Sequence, residues 1–93
     1  MTTPEAAARQ RVDMWLWVAR FYRTRALAQA ALSAGQIRAR GRVLDKGDQV
    51  RAGDVLTFVA GSRLRTVEVT GIAPRRGDAA AARRLWRDLY DPV

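Results

Sequence analysis

RVDMWLWVARFYRTRALAQAALSAGQIRARGRV, residues 11–43, changes its hydrophobic period once, and that change decides the fold. Val12, Leu16, Ala19 and Val18 form an apolar stripe at helical spacing, and Asp13 has the chemistry of an N-cap. A helix is therefore predicted over residues 13–21. Thr24 is a second candidate cap, and RALAQAALSA is dense in strong helix formers before Gly35, which predicts a helix over 25–34. Ala28 and Leu32, with Leu27 and Ala31 beside them, give this helix a small inward face that can approach the first closely. After Gly35 the period falls to two. Ile37, Ala39 and Val43 alternate with Arg38, Arg40 and Arg42 around Gly41, the pattern of a short hairpin with arginines on its outer face.

Toward the C-terminus, DKGDQVRAGD is rich in turn residues, and VLTFVA and RLRTVEVTGI are β-branched runs separated by Gly61-Ser62. That dipeptide suits a two-residue hairpin turn with glycine in the first central position. Pro74 and Arg75-Arg76-Gly77 close the sheet. Asp78 is placed to cap a last helix over 79–90, with Leu85, Trp86, Leu89 and Tyr90 as its packing side. Residues 1–10 hold a short Ala run with no hydrophobic partner and are expected to be loose. The fold class that follows is α+β: a two-helix hairpin packed on a small twisted, mainly antiparallel β-sheet, with a C-terminal helix. The expected division is a loose segment 1–10, a domain over 11–73, and a helix in 74–93 that packs on or extends it.

Ninety-three residues suffice for one domain and are too few for two. Seventeen basic residues against nine acidic ones leave a net charge of +8, which points to a polyanionic partner, although an arginine-favouring genome accounts for part of it. The chain has no cysteine and no histidine. That removes disulfides, thiolate and imidazole metal ligands and histidine-activated nucleophiles, so neither an enzyme nor a cofactor or metal site is expected. Asp13, Asp45, Asp48 and Asp54 fall at predicted caps and turns, where aspartate is common anyway. No apolar run approaches the roughly 18 residues that span a bilayer, and MTTPEAAARQ lacks the hydrophobic stretch of a signal peptide. A cytoplasmic protein without a membrane partner is expected.

Arg11, Arg20, Arg23 and Arg25 flank the helix pair, and Arg38, Arg40, Arg42 and Lys46 fall on or beside the hairpin. Clustered guanidinium groups repel one another, so their concentration favours an absent anion over a gain in stability. Arg25 stands near a helix start, where a cation opposes the macrodipole. A phosphate shared by the helix amides, Arg25 and the Thr24 hydroxyl would reconcile the two, while an ordinary cap is the other reading of Thr24. Trp15, Trp17, Phe21 and Tyr22 interleave with these arginines and suit either base stacking or the core. WLWV cannot face wholly inward, and Trp17 is expected to be the exposed tryptophan.

Two short helices joined by a tight turn also describe a helix-turn-helix regulator, so weak DNA binding is a secondary expectation. Such regulators pair across two half-sites, whereas this chain has no sustained heptad, and a monomer is expected.

R-V-D-x-W-L (11–16), T-R-A-L-A-Q-A-A-L-S-A-G-Q-I (24–37), R-x-R-G-R-V (38–43) and V-R-A-G-D-V-L (50–56) together resemble the S-four RNA-binding domain, or alpha-L motif, family. W-L-W-x-A-R-F-Y-R-T-R-A-L-A, from Trp15 to Ala28, is similar to its ribosome-associated heat-shock branch. The resemblance implies a helix hairpin over a small sheet that binds structured RNA. For the branch it implies ribosomal RNA or a tRNA-containing large-subunit complex as partner, in heat shock or the rescue of stalled ribosomes. Matching positions make Arg11, Arg23, Thr24, Arg25 and Gln29 the RNA-contacting set, joined by the Arg38 to Lys46 hairpin. The chain departs from the family at Arg40, where Asn is common, and at Asp45-Lys46-Gly47, which replaces a Lys-Pro-Ser turn. Because the same domain occurs attached to RNA-modifying enzymes, a module detached from such an enzyme is the alternative.

Overall fold

The computed structural model describes residues 8–60 and 62–89. Strand β1 (Gln10–Arg11) runs straight into helix α1 (Val12–Val18), and a tight turn leads to α2 (Arg25–Ser33). Strands β2 (Ile37–Ala39), β3 (Arg42–Val43), β4 (Gln49–Val50), β5 (Val55–Ala60) and β6 (Arg63–Val69) follow, then α3 (Ala79–Arg83) and β7 (Trp86–Asp88). β1 pairs with β4 as a small ribbon, and the other five strands form one antiparallel sheet in the order β3-β2-β5-β6-β7. This is the expected α+β architecture of a helix hairpin on an antiparallel sheet.

Period-two alternation aims Leu56 and Phe58 of β5 and Val67 and Val69 of β6 into the core, with Leu56 directly opposite Val67. α1 adds Val12, Trp15, Leu16 and Val18, all fully buried. α2 adds only Ala28, Ala31 and Leu32, so the two helices approach closely. Leu27, expected beside this face, is 51% exposed, because α2 packs on α1 through 28, 31 and 32. Trp15 remains buried because its indole N–H donates to the Gly71 carbonyl at 2.9 Å. Phe21, in the turn between the helices, gathers Trp15, Phe58 and Trp86 at centroid distances of 5.9, 5.0 and 4.8 Å.

Both helices of the hairpin end in the same way. Gln36 N–H bonds the Ala31 carbonyl and Gly35 N–H bonds that of Leu32; Phe21 and Arg20 repeat the pattern on Leu16 and Trp17. This is the Schellman closure, which places the residue after the cap in left-handed backbone. At the end of α2 that residue is Gly35, at φ +74°. At the end of α1 it is Arg20, at φ +66°.

Three expectations are corrected. Asp13 does not cap α1: the helix begins at Val12 with Arg11 as N-cap, and Asp13 sits in the first turn with no solvent exposure. Val12 N–H, which has no partner within the helix, is satisfied by the Asp48 carbonyl just before β4 at 2.8 Å. Nor do the hairpin arginines share one face. Arg40 and Gly41, at φ +55° and +74°, are the two left-handed residues of a tight turn that sets Ala39 opposite Arg42 and Arg38 opposite Val43. Directly opposed residues share a face, so Val43 lies with Arg38, and it is 44% exposed.

The third correction concerns the last helix. Asp78 caps it as expected, accepting Ala81 N–H at 2.8 Å, but it stops at Arg83. Residues 86–88 become the edge strand β7, registered by the cross-strand pair Glu68 and Arg87 and by Asp88, which binds Arg65. Leu85 is buried at the bend, while Leu89 is 43% exposed. Residues 1–7 of the segment expected to be loose, Gly61 of the expected turn and Tyr90 of the expected stripe lie outside the described residues.

Candidate nucleic-acid interface

The centre of the basic surface is a carboxylate. Asp13 accepts Arg11 Nε at 3.2 Å on one oxygen and Arg11 Nη2 at 3.1 Å on the other. It also accepts the Met14 N–H at 2.8 Å, Gln29 Nε2 at 2.8 Å and, more weakly, Arg25 Nε at 3.4 Å. Burial pushes its pKa up, but the hydrogen bonds from Arg11, Gln29 and Met14 and the charge of Arg25 outweigh that and hold it at about 2. Arg11, 48% exposed along its side chain, reaches further to the Lys46 carbonyl at 3.5 Å. The Arg25 side chain is 41% exposed. One buried anion thus fixes two guanidinium groups that keep outward edges, and the patch carries a net positive charge.

This arrangement removes the electrostatic puzzle at Arg25. Asp13 offsets its unfavourable position at the start of α2 without calling on a phosphate. Thr24 is an ordinary cap, its hydroxyl accepting Leu27 N–H at 3.1 Å. Arg23 and Arg38 are exposed and have no side-chain hydrogen bond or ion pair among the described residues.

Of the remaining candidates, only Lys46 touches the Asp13 cluster, through its carbonyl. Arg40 and Arg42 approach Asp54 and Asp48 at 3.7 and 3.9 Å, with side chains 77% and 68% exposed, contacts too loose to stabilise much. Together with Arg9 and Arg51 they line an open cleft of about 400 Å³, so two arginines missed in the sequence belong beside that pair. Lys46 is exposed in a turn closed by the carboxylates of Asp45 and Asp48. Trp17 and Arg20 face the loop before α3 instead. The Arg76 guanidinium lies 5.7 Å from the half-buried Trp17 ring and donates to its carbonyl at 3.1 Å, while Arg20 donates to the Gly77 carbonyl at 2.9 Å. Asp13 is the residue whose bracing role is not read from the sequence. The signal for it was the Arg-x-Asp spacing ahead of an apolar run, read there as a cap.

A helix hairpin with this carboxylate-braced basic end, set on a small antiparallel sheet, defines an S4-type module, and the S4 domain family matches residues 10–56. The chain belongs to the S4 domain family. Within it, the chain groups with the heat shock protein 15 relatives. It is 36% identical over 87 residues to heat shock protein 15 of Escherichia coli, covering 94% of this chain and 65% of that one. The chain therefore spans just under two thirds of that relative's length. It is 37% identical over 62 residues to the RQC P-site tRNA stabilizing factor of Halalkalibacterium halodurans, covering 67% of this chain and 70% of the other. A trimeric structure of heat shock protein 15 from Vibrio cholerae superposes with a TM-score of 0.82 at 32% identity, covering 86% of this chain and 81% of that one.

Proposed function

We propose that this protein is a non-catalytic, cytoplasmic RNA-binding factor that grips structured RNA of the large ribosomal subunit through the surface braced by Asp13. The observation that carries the reading is the buried carboxylate holding Arg11, Arg25 and Gln29 in one orientation. Guanidinium groups fixed before binding lose less freedom on meeting a phosphate, and their outward edges suit its oxygens. Arg23 and Arg38 supply further charge that no carboxylate among the described residues cancels. The names of its relatives, a heat shock protein and a P-site tRNA stabilizing factor, support a role on ribosomes bearing tRNA under stress. Nothing in the geometry favours the helix-turn-helix reading.

Sedimentation of lysate through a sucrose gradient tests this directly. The protein is expected with the large subunit, and its absence from both subunits overturns the ribosomal part. Competition between matched RNA and DNA hairpins tests the rest, since preference for duplex DNA overturns RNA binding.

The expected monomer stands against the trimeric Vibrio cholerae relative. Val59 and Leu64, opposed across β5 and β6, are 51% and 71% exposed, an apolar pair suited to contact with a second copy. Self-association is the better reading.

A further inference from the structure

A second ligand-sized feature lies away from the Asp13 cluster, between the end of α1, α3 and β7. Ala19, Phe21, Ala79, Ala82 and Trp86, with Arg20, Arg65 and Arg83, line an open pocket of about 210 Å³. Its walls are aromatic. The Arg83 guanidinium lies 4.3 Å from the Trp86 ring centroid, and that of Arg65 lies 4.8 Å from the same ring and 5.5 Å from Phe21.

The charges around it are not balanced internally. Arg65 is cancelled by Asp88, which accepts it at 2.9 and 3.1 Å. Arg20 and Arg83 have no carboxylate partner among the described residues, and nearby Asp78 is engaged in capping α3. Shielding of Trp86 explains Arg65, and a cation in the last turn of α3 is electrostatically comfortable. Neither explains Arg20. It occupies a left-handed position that glycine would fill at less cost, and it is tethered through Gly77 at the pocket rim.

We propose that this pocket takes one unpaired nucleotide of the bound RNA, its base stacked on the exposed Arg83 guanidinium that already covers Trp86, and its phosphate on Arg20 and the edge of Arg83. An apolar slot with aromatic and guanidinium planes suits a base, and two uncancelled cations at the rim suit the phosphate attached to it. A polypeptide ligand would need a carboxylate and an aromatic group at the same spacing, and nothing on this face selects for backbone. The inference rests on RNA binding at the Asp13 surface and adds a specificity element to it: recognition of a bulged nucleotide beside a helical stem.

The test compares an RNA hairpin carrying a single-nucleotide bulge with the same stem fully paired, measured by fluorescence anisotropy on the full chain. Wild type is expected to prefer the bulged RNA by about fivefold or more. Ala79→Leu narrows the pocket without changing charge, and Arg83→Gln removes the rim cation; both substitutes are good helix formers. Each is expected to bring the ratio of affinities toward one while leaving affinity for the paired stem within about twofold, allowing for one lost long-range charge in the second. Equal wild-type affinity for the two RNAs, or an unchanged ratio in both variants, overturns the proposal. Failure of wild type to bind either RNA overturns the underlying RNA-binding reading instead.

Discussion

A carboxylate without solvent exposure that accepts five N–H groups is a strong acid, and the folded state depends on its charge. Unfolded, the Asp13 carboxyl titrates near its ordinary 3.8; folded, near about 2. The folded pKa is the lower one, so the stabilisation is complete above about pH 4 and is lost as pH falls through about 2, amounting to about 2 kcal/mol. Urea unfolding at about pH 6 and about pH 2.5 should reveal that loss, and Asp13→Asn should flatten it while lowering stability at neutral pH by a similar amount. Arg25→Ala is a poor probe of RNA contact, because it also strips a partner from this buried charge. Arg23 and Arg38 have no such duty. Their alanine variants should keep the melting temperature, change stability by less than about 0.5 kcal/mol, and lower the slope of log affinity against log salt by about 0.7 to 0.9 each. Unchanged salt slopes in both would place the RNA elsewhere.

Among the elements, α2 allows its cap and its surface charge to be separated. Thr24→Ala should cost about 1 kcal/mol of stability, read from the urea midpoint, through loss of the bond to Leu27 N–H. Thr24→Asp should cap as well as threonine yet weaken RNA binding by placing a carboxylate between Arg23 and Arg25. Loss of stability in the aspartate variant would mean that the hydroxyl does more than cap. Much of this element was legible because its signals are local: a cap at Thr24, helix formers to Ser33 and a left-handed Gly35. The two-stranded hairpin was legible as a hairpin, but its faces were not, since facing follows from the two-residue Arg40-Gly41 turn rather than from simple alternation along the chain. The strand β7 was hidden for the opposite reason. AAAARRLW has strong intrinsic helix propensity that would carry the helix on through residue 86, and only the unpaired edge of β6, with Glu68 and Arg65 waiting for Arg87 and Asp88, ends it at Arg83 and draws Trp86–Asp88 into a strand. The role of Asp13 was not legible, because its side-chain donors come from Arg11 at the end of β1 and from Arg25 and Gln29 on α2, and their convergence is tertiary.

For the molecule as a whole, the net charge of +8 and the exposed Val59–Leu64 pair make opposing demands, since like charges resist an association that the apolar pair favours. Leu64→Ser should shift sedimentation velocity toward the monomer and leave the unfolding midpoint nearly unchanged, because Leu64 is already 71% exposed. Wild type that sediments as a monomer at every concentration would remove this face from consideration. The described non-glycine residues with left-handed backbone are Arg20 and Arg40, each at a position where glycine or asparagine holds the same turn with less strain. A laboratory selection for heat resistance alone would therefore replace these two arginines early, and its survivors would be sturdier proteins with less of the positive charge proposed to attract RNA.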